Sequence, residues 1–337
     1  MLDMSDMPAS FRAFVVDRPE GGTFSRGLRE LTPTDLPPGE VTVRVEWSGV
    51  NFKDGLAARE DGRVARAYPL VPGIDLAGTV VASDDDAFPE GTKVLAHGYD
   101  IGTARHGGYA EFGRVPGRWT IPLPEGLTTR EAMEIGTAGF TAAMSVAALE
   151  ERGLRAGDGP VLVTGASGGV GSTAVAILAT RGHEVWAATG KADEHERLTH
   201  LGAAGILSRG DVTGPGRPLE SARWAGAVDT VGAATLPYVL RTLRIGAAVA
   251  SSGNASGAEL ATTVLPFILR GVALLGMDSA NMAIGPRRAL WTRLATDLLP
   301  SGIGDGITVV DLDTLEPALD AIVAGQARGR WVVRVTG

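Results

Sequence analysis

The stretch Val161–Gly171 holds the residues best suited to chemistry in this 337-residue sequence. A run of β-branched and apolar residues breaks into Gly-Ala-Ser-Gly-Gly-Val-Gly, and helix-forming residues follow to Thr180. Gly168 would let a backbone approach a diphosphate, Gly171 would let a helix pack closely on the strand, and the helix N-terminus would offer free N–H groups. We therefore predict a phosphate-binding turn with contacts from Ser167, Gly168, Gly169, Val170 and Gly171.

The residues on either side of this turn indicate a β-α-β unit. The helix should end near Arg181 because Gly182 follows, and His183–Thr189 has the composition of a second strand. The match to G-x-G-x-x-G is imperfect, because Ala166 stands at the usual first glycine and Gly165 lies one residue earlier.

The end of the second strand indicates which nicotinamide cofactor the turn would take. NAD-binding chains place Asp or Glu about twenty residues after the glycines, where it bonds the ribose 2′-hydroxyl. Here the strand ends Thr189-Gly190-Lys191, without a carboxylate. A cation with a hydroxyl suits a 2′-phosphate, so we predict NADPH, with Lys191 as the first candidate contact and Arg209 as the second. Both could instead be ordinary solvated charges.

The same turn also fits the nucleophile elbow G-x-S-x-G of serine hydrolases. That arrangement requires an acid and then a histidine after Ser167. The later histidines are His183, His195 and His200, and none lies near the C-terminus. A dinucleotide also explains the last glycine of the turn and the end of the second strand, so we favour it over the hydrolase.

Composition limits the class of protein and its partners. The sequence is 44% hydrophobic and 21% charged, with a net charge of −8 and no Cys, which excludes disulfides and thiolate chemistry. The sequence has no clustered Lys/Arg tract of the kind that binds nucleic acid, and it has no apolar run long enough to cross a bilayer. Because Met1–Pro8 lacks the features of an export signal, we expect a cytoplasmic protein that binds neither nucleic acid nor membrane.

The order of predicted elements suggests two domains. Up to about residue 125 the chain reads as short strands and loops. These strands are predicted at Val41–Glu46, Gly78–Ala82, Thr92–Ala96 and Tyr109–Phe112.

From Thr128 onward the pattern becomes helical and then alternates with strands. Two helical segments, Arg130–Ile135 and Gly139–Glu150, come first. Six strands follow, predicted at Val161–Thr164, Val185–Thr189, Gly205–Leu207, Ala227–Val231, Ala247–Ser251 and Val272–Met277. This alternation matches a doubly wound parallel sheet. A helix near Thr314–Val323 and a last strand at Trp331–Val335 are expected to rejoin the first domain.

Seven motifs, spread over nearly the whole chain, carry a family resemblance. They are Gly49-Val-Asn-Phe-Lys-Asp54, Pro72-Gly-Ile-Asp-Leu-Ala-Gly-Thr79, Gly107-Gly-Tyr-Ala-Glu111, Ile135-Gly-Thr-Ala-Gly-Phe-Thr-Ala142, Thr164-Gly-Ala-Ser-Gly-Gly-Val-Gly-Ser172, Asp229-Thr-Val-Gly232 and Leu265-Pro-Phe-Ile-Leu-Arg270. Together they resemble the acrylyl-CoA reductase family, a quinone-oxidoreductase-like branch of the medium-chain dehydrogenase/reductase superfamily.

The resemblance implies an α/β fold of two domains. A GroES-like β-barrel catalytic domain would comprise residues 1–127 and 304–337. A doubly wound parallel-sheet (Rossmann) cofactor domain would comprise residues 128–303 and bind NADPH.

The resemblance also bears on metal. Zinc members of the superfamily bind catalytic zinc through Cys and His, but the aligned places hold Asn51 and Ile74, so no metal is expected. We expect a solvated or core role for each of the five histidines. Without a Lewis acid on a carbonyl, conjugate reduction is favoured: a hydride reaches the β-carbon of acryloyl-CoA (acrylyl-CoA), and a proton reaches the α-carbon to give propanoyl-CoA.

By the resemblance, Asn51 and Asp75 form a polar centre near the nicotinamide, with Lys53 close by as a third catalytic candidate. Asn51 would orient the substrate or the cofactor amide, and Asp75 would fix that geometry. Cofactor contacts are expected at Phe52, Thr137, Ser167, Gly168, Gly169, Val170, Gly171, Thr189, Gly190, Lys191, Arg209, Asn254 and Ser279. Turn and helix-cap roles remain the alternative for the Asn, Thr and Ser residues of this set.

Three functions stay open at this point. The first is an NADPH-dependent acrylyl-CoA reductase that acts as a homodimer, paired through the edge strand Val272–Met277. The second is a quinone or enone reductase of broader specificity. The third is a non-catalytic NADPH-binding protein, which would have no need of the Asn51/Asp75 pair.

Overall fold

The computed structural model describes residues 7–302 and 304–336, which form two compact units. The first unit holds the chain up to Thr137, the segment Ala280–Ala295 and the chain from Gly304 onward; the second holds Ala138–Ser279 and a short segment beginning at Thr296. Segment Ala280–Ala295, which the sequence placed in the second domain, packs in the first unit. The predicted domain limits at residues 1, 303 and 337 lie outside the described residues, and the limit at 127/128 stays a prediction.

The first unit is built on β-sheets. Its strands are β1 (Phe11–Asp17), β2 (Ser25–Leu31), β3 (Val41–Val50), β4 (Asp75–Ser83), β5 (Lys93–His97), β6 (Phe112–Val115), β7 (Ile121–Pro122), β14 (Thr308–Asp311) and β15 (Trp331–Arg334). Strands β1 and β2 pair with each other, and a seven-stranded sheet has the order β14-β15-β3-β4-β5-β7, with β6 paired to β3. Because β15 pairs antiparallel with β3, the last strand rejoins the first unit as predicted.

The valines of β3 explain why this strand lies at the centre of its sheet. Val41, Val43 and Val45 are fully buried in the core of the unit, while Arg44 between them is exposed. The buried valines follow the predicted period of two, but Thr42 on the opposite face is also buried, so that face is solvated only at Arg44 and partly at Glu46. The strand is also longer than predicted and ends at Val50.

The predicted strand Tyr109–Phe112 was wrong in its limits, because β6 begins only at Phe112. Residues before it form other backbone bonds: Gly108 N donates to the Gly73 carbonyl at 2.8 Å, and Tyr109 N donates to the Pro72 carbonyl at 3.2 Å. The Tyr109 hydroxyl also donates to the Gly49 carbonyl at 2.9 Å. Tertiary bonds therefore override the β propensity of this segment.

The second unit contains the predicted six-stranded parallel sheet. Its strands are β8 (Val161–Thr164), β9 (Val185–Thr189), β10 (Ala203–Ser208), β11 (Trp224–Asp229), β12 (Leu243–Ser251) and β13 (Ala273–Gly276), in the order β10-β9-β8-β11-β12-β13. The strand order reverses between β8 and β11, which is where such folds bind ligands at the carboxyl ends. Strand β11 ends two residues earlier than predicted, because the Asp229 carboxylate accepts from Gly232 N at 3.0 Å and closes a turn.

Eight helices accompany these sheets in the described residues. They are α1 (Phe52–Ala57), α2 (Thr129–Glu151), α3 (Gly169–Thr180), α4 (His195–His200), α5 (Thr235–Thr242), α6 (Leu265–Arg270), α7 (Ile284–Leu294) and α8 (Leu315–Val323). Helix α3 follows the predicted turn, and Gly182, with a φ of +80°, lies just after its end as expected.

Helix α2 is interrupted at Gly136, whose φ of 50° and ψ of −163° are not helical. The two predicted helical segments flank this break. By length and composition α2 could cross a membrane, but 83% of its most apolar window is buried inside the protein. The burial indicates a core helix.

Candidate active site

Asn51 and Asp75 meet in the first unit, as the sequence predicted for the polar centre. Asn51 follows β3 and precedes α1, while Asp75 is the first residue of β4. Asn51 Nδ2 donates to Asp75 Oδ2 at 2.8 Å and to Asp54 Oδ2 at 3.0 Å. Both amide hydrogens of Asn51 are thereby committed to carboxylates.

Asp75 is fully buried and accepts four hydrogen bonds. Its Oδ1 accepts from Thr137 N at 3.0 Å and from Thr137 Oγ1 at 2.5 Å, while its Oδ2 accepts from Asn51 and from Arg330 Nη2 at 3.0 Å. Burial alone would raise the pKa of Asp75, but the Arg330 charge and these hydrogen bonds lower it below the ordinary value. Asp75 is therefore ionised and has no exposed surface for a ligand.

Arg330 completes the centre, and the sequence reasoning missed it. Its Nη1 donates to Asn51 Oδ1 and to the Val50 carbonyl, both at 2.9 Å, and its Nη2 donates to Asp75 and to the Met133 carbonyl. A Cβ at Gly49 or at Gly136 would collide with Nη2, so both glycines make room for the guanidinium. In the sequence, Arg330 is marked only as a cation directly before the last predicted strand.

Asp54 holds Asn51 from the other side. Its Oδ2 accepts from Asn51 N at 2.9 Å as well as from the side-chain amide, and its Oδ1 accepts from Ile74 N at 2.8 Å. Burial, and then the negative charge of Asp75, raises the pKa of Asp54 to about 6. Asp54 can therefore gain or lose a proton near neutral pH.

This geometry limits what Asn51 can do. Because both N–H hydrogens are used and Oδ1 already accepts from Arg330, one acceptor lone pair on Oδ1 remains. Asn51 is partly exposed, so that lone pair can meet an N–H or O–H donor of a ligand. Phe52 and Lys53 lie on the first turn of α1; Phe52 is 52% exposed, and Lys53 is also exposed.

The glycine turn of the second unit fits a diphosphate. Gly165 has a φ of +60° and takes the place of the usual first glycine. A Cβ at Gly171 would collide with the Gly165 carbonyl and with Ala166 Cα, both in the turn, whereas a Cβ at Gly168 would meet only the Gly165 oxygen, at 3.4 Å. Open space therefore lies beside Gly168, at the N-terminus of α3, where the amides of Gly169 and Val170 lack helical acceptors.

The residues predicted for the adenosine end also lie together. Thr189 Oγ1 donates to Ser167 Oγ at 3.0 Å and accepts from Lys191 N at 3.1 Å. A Cβ at Gly190 would lie 3.3 Å from Arg209 Nε, so the Arg209 guanidinium covers this glycine. The sequence reasoning overlooked Arg197, whose Nη2 donates to the Ser167 carbonyl at 3.2 Å while its Nε pairs with Glu194 at 2.7 Å.

Three further residues were predicted to contact the cofactor: Thr137, Ser279 and Asn254. Thr137 bonds Asp75, as described above. Ser279 Oγ accepts from Thr141 Oγ1 at 2.8 Å, and Asn254 is exposed, with its backbone packed beside Gly232. The cofactor roles of all three stay predictions.

The hydrolase alternative finds no support at Ser167. Ser167 is buried, with 8% of its surface exposed, and its hydroxyl oxygen accepts from Thr189 rather than facing a histidine. Within residues 7–302 and 304–336, no group of three or more His, Asp or Glu side chains could hold a metal ion. Ile74, which the family resemblance places where zinc members have a ligand, is a buried aliphatic residue.

Comparison with known proteins adds family relationships to this geometry. The profile of the alcohol dehydrogenase GroES-like domain matches residues 37–125. Acrylyl-CoA reductase AcuI of Ruegeria pomeroyi is 50% identical over 328 residues, which cover 96% of this chain and 99% of that protein.

Two further relatives have solved structures with a nicotinamide cofactor. The yhdH oxidoreductase of Salmonella enterica, in complex with NADP, has a TM-score of 0.93 and 45% identity, covering 96% of this chain and 100% of that chain. The putative quinone oxidoreductase YhfP of Bacillus subtilis is 45% identical over 91% of this chain and 94% of that protein. Its structure with NAD bound has a TM-score of 0.94 and 43% identity, covering 97% of this chain and 100% of that chain. The predicted fold class, GroES-like domain plus Rossmann domain, is confirmed.

Proposed function

Because the chain belongs to the acrylyl-CoA reductase family of the medium-chain dehydrogenase/reductase superfamily, we propose that it reduces the C=C bond of acrylyl-CoA with NADPH. The product is propanoyl-CoA. The reaction type is supported by the polar centre, in which Asn51 donates a hydrogen bond to Asp75. By the family resemblance, Asn51 stands where zinc members of the superfamily have a metal ligand. Because the sequence contains no Cys, the usual zinc ligand set cannot form.

NADPH, when bound, supplies a hydride from nicotinamide C4 to the β-carbon of the substrate. The residues of the chain bind the cofactor and the substrate and orient them. Asn51 offers an acceptor lone pair, which suits an N–H or O–H donor such as a carboxamide, and it has no free N–H to donate to a thioester oxygen. Asp54, Asp75 and Arg330 act on Asn51 as positioning residues.

The phosphate-binding turn and the ends of β9 and β10 are proposed to hold NADPH. The amides of Gly169, Val170 and Gly171 would bind the diphosphate beside the open face of Gly168. Lys191 and Arg209 would bind the 2′-phosphate, since Arg209 lies over Gly190 next to Lys191. Thr137, Asn254, Ser279 and Phe52 are proposed contacts on the nicotinamide side.

The cofactor proposal is tested by the ratio of NADPH to NADH affinity. We expect wild type to bind NADPH more tightly, and Lys191→Ala to lose about tenfold in NADPH affinity with NADH unchanged, as removal of one charged hydrogen bond would do. The catalytic role expected of the exposed Lys53 is tested separately, by turnover of acrylyl-CoA in Lys53→Ala. Equal affinity of wild type for both cofactors would contradict the assignment.

The substrate proposal is tested by turnover of acrylyl-CoA and of a simple quinone, side by side with NADPH. We expect acrylyl-CoA to give the higher kcat/KM, and Asn51→Ala to lower kcat by about 10²-fold without loss of thermal stability. Unchanged turnover in Asn51→Ala would remove Asn51 from the mechanism.

A broader quinone or enone reductase is the second candidate, favoured by the name of the Bacillus subtilis relative. Higher kcat/KM with the quinone would select it. A non-catalytic NADPH-binding protein would show no turnover with either substrate.

We also propose a cytoplasmic homodimer paired through β13. This strand lies at the edge of the six-stranded sheet, and large apolar side chains stand exposed on it and on the neighbouring α6. They are Val264, Ile268, Leu269 and Leu274, exposed by 65%, 68%, 61% and 36%. Pairing of two copies would cover both the apolar surface and the open sheet edge.

A further inference from the structure

The carboxyl ends of β8 and β11 are joined by side chains where their backbone ladder stops. The parallel ladder of these two strands ends at the pair Val163 and Val228. One residue further along each strand, Thr164 Oγ1 donates to Asp229 Oδ1 at 2.6 Å. Both residues are fully buried, and neither has a role in the proposed function so far.

Thr230, the residue after β11, completes this contact. Its backbone N donates to Thr164 Oγ1 at 3.2 Å, and its hydroxyl donates to the Thr164 carbonyl at 3.0 Å. The Thr164 hydroxyl therefore accepts from Thr230 and gives its single hydrogen to Asp229. We call Thr164, Asp229 and Thr230 the strand-end cluster.

Asp229 also holds the two loops that follow β11 and β12. Its Oδ2 accepts from Gly232 N at 3.0 Å, and its carbonyl accepts from Ser252 N at 2.9 Å. Burial raises the pKa of the Asp229 carboxyl group above its ordinary value, and the hydrogen bond from Thr164 is the largest effect that opposes this rise. The Thr164 hydroxyl therefore stabilises the charged form of Asp229.

The strand-end cluster also contacts the start of the phosphate-binding turn. Gly165 follows Thr164 directly and has a φ of +60°. A Cβ at Gly165 would lie 2.3 Å from Thr230 Oγ1, so the Thr230 hydroxyl occupies the space that a side chain there would need. A Cβ at Gly253 would lie 2.4 Å from the Thr230 carbonyl oxygen, so the loop that leads to Asn254 packs on the same residue. The turn before α3 and the loop after β12 therefore both pack against Thr230.

We propose that the strand-end cluster positions the phosphate-binding turn and the loop at Asn254 relative to each other. It would thereby set the spacing between the diphosphate contacts and the nicotinamide-side contacts of NADPH, at the point of the sheet where such folds bind their ligands. Thr164, Asp229 and Thr230 are positioning residues, because they act through the backbone segments that they hold. The inference rests on the proposed cofactor site.

The proposal is tested by calorimetry of NADPH binding to the full-length protein, with urea denaturation of each variant in parallel. Thr164→Val keeps the shape of the side chain and removes its hydroxyl, whereas Thr164→Ser keeps the hydroxyl. We expect Thr164→Val to bind NADPH about tenfold more weakly and Thr164→Ser to stay within about twofold of wild type. Thr242→Val is the matched control and should keep the affinity of wild type, because Thr242 is a buried threonine of the same unit whose hydroxyl donates to backbone carbonyls of α5.

A packing role alone would lower the stability of Thr164→Val and leave its NADPH affinity unchanged, and that result would overturn the proposal. Equal losses of affinity in Thr164→Val and Thr164→Ser would also overturn it, because the hydroxyl would then not be the cause. If Thr164→Val does not fold, Thr230→Val decides, since it removes one hydroxyl bond and leaves the donors to Asp229 in place. We expect about fivefold weaker NADPH binding in Thr230→Val, and unchanged affinity there would overturn the proposal.

Amide hydrogen exchange tests the same cluster without any cofactor. Ala166 and Gly232 are buried, and their backbone N–H groups are hydrogen-bonded. We expect both amides to exchange faster in Thr164→Val and Thr230→Val than in wild type, and the buried His183 amide, beyond the far end of α3, to change less. Unchanged exchange at Ala166 and Gly232, or an equal increase at His183, would overturn the proposal. If wild type does not bind NADPH, the proposed cofactor site fails, and the exchange result still decides whether the cluster holds the turn.

Discussion

At the scale of single residues, Arg330 is the group on which the polar centre depends. It is 8% exposed and donates hydrogen bonds to both Asn51 and Asp75. The orientation of the Asn51 amide and the ionisation of Asp75 therefore both depend on the Arg330 guanidinium. Removing a partner from a buried ion pair leaves the other charge uncompensated, at a cost of about 3–5 kcal/mol.

We expect Arg330→Leu to lower the free energy of unfolding by about that amount, measured by urea denaturation. Arg334→Leu is the matched control. It removes the arginine four positions further along the chain, at the end of β15, whose ion pair with Asp311 is about half exposed on both sides, and it should cost under about 1 kcal/mol. Similar losses in the two variants would contradict a buried, coupled role for Arg330.

Asp54 predicts a pH dependence of activity. As the pH falls through about 6, Asp54 takes up a proton and its carboxylate binds the two N–H groups of Asn51 less strongly. We expect kcat at saturating NADPH to decrease below about pH 6; saturation keeps the titration of the cofactor phosphate, also near pH 6, out of the result.

Stability should move the other way through Asp54. A pKa raised from 3.8 to about 6 in the folded state means that the folded protein binds this proton more readily than the unfolded chain does. The resulting stabilisation is complete below about pH 4 and is lost as the pH rises through about 6. Thermal unfolding measured across the same pH range separates the two effects, and a flat kcat down to pH 5 would count against the role of Asp54.

At the scale of elements, the turn from β8 to α3 assigns different tasks to its glycines. Gly171 permits close packing, because a side chain there would collide with the Gly165 carbonyl, while a Cβ at Gly168 would make only an ordinary contact with that oxygen, at 3.4 Å. We expect Gly171→Ala to lose about 1–3 kcal/mol of stability. Gly168→Ala should keep the stability of wild type and lose about tenfold in NADPH affinity, measured by calorimetry. Loss of stability in both variants alike would contradict this division.

Local patterns explain how much of the elements could be predicted. The six strands of the parallel sheet and the glycine turn follow from residues that are neighbours in sequence. Strands β8 and β9 have the predicted limits, and the other four strands differ from their predicted limits at one or both ends. The strand predicted from Tyr109 begins only at Phe112, because Tyr109 N donates to the Pro72 carbonyl rather than to a neighbouring strand. Likewise α7 joins the first unit through the bond from Trp291 to His97, 194 positions away, which no local pattern records.

The residues of the candidate site were likewise predicted where a local motif contains them and missed where none does. Asn51, Asp75 and the glycine turn were found because motifs name them. Arg330 was missed because its contact with Asn51 spans 279 positions, and an isolated arginine at the start of a strand has no local signature.

At the scale of the whole molecule, we predict a homodimer paired through β13. We expect a dimeric mass in native mass spectrometry for wild type and a monomer for Leu269→Arg, since burying an unpaired charge at an apolar interface is costly. Leu28→Arg is the control, because Leu28 is 40% exposed on β2 of the other unit. A monomeric wild type at micromolar concentration would contradict the dimer.

The central claim is that this chain directs a hydride from NADPH to the β-carbon of acrylyl-CoA without a metal ion. The most direct measurement uses NADPH deuterated at C4 of the nicotinamide, after exhaustive treatment with a chelator, with the product analysed by NMR. We expect propanoyl-CoA with one deuterium on the methyl carbon, formed at the rate of untreated enzyme. Deuterium at the carbonyl carbon, or a rate restored only by added zinc, would contradict it.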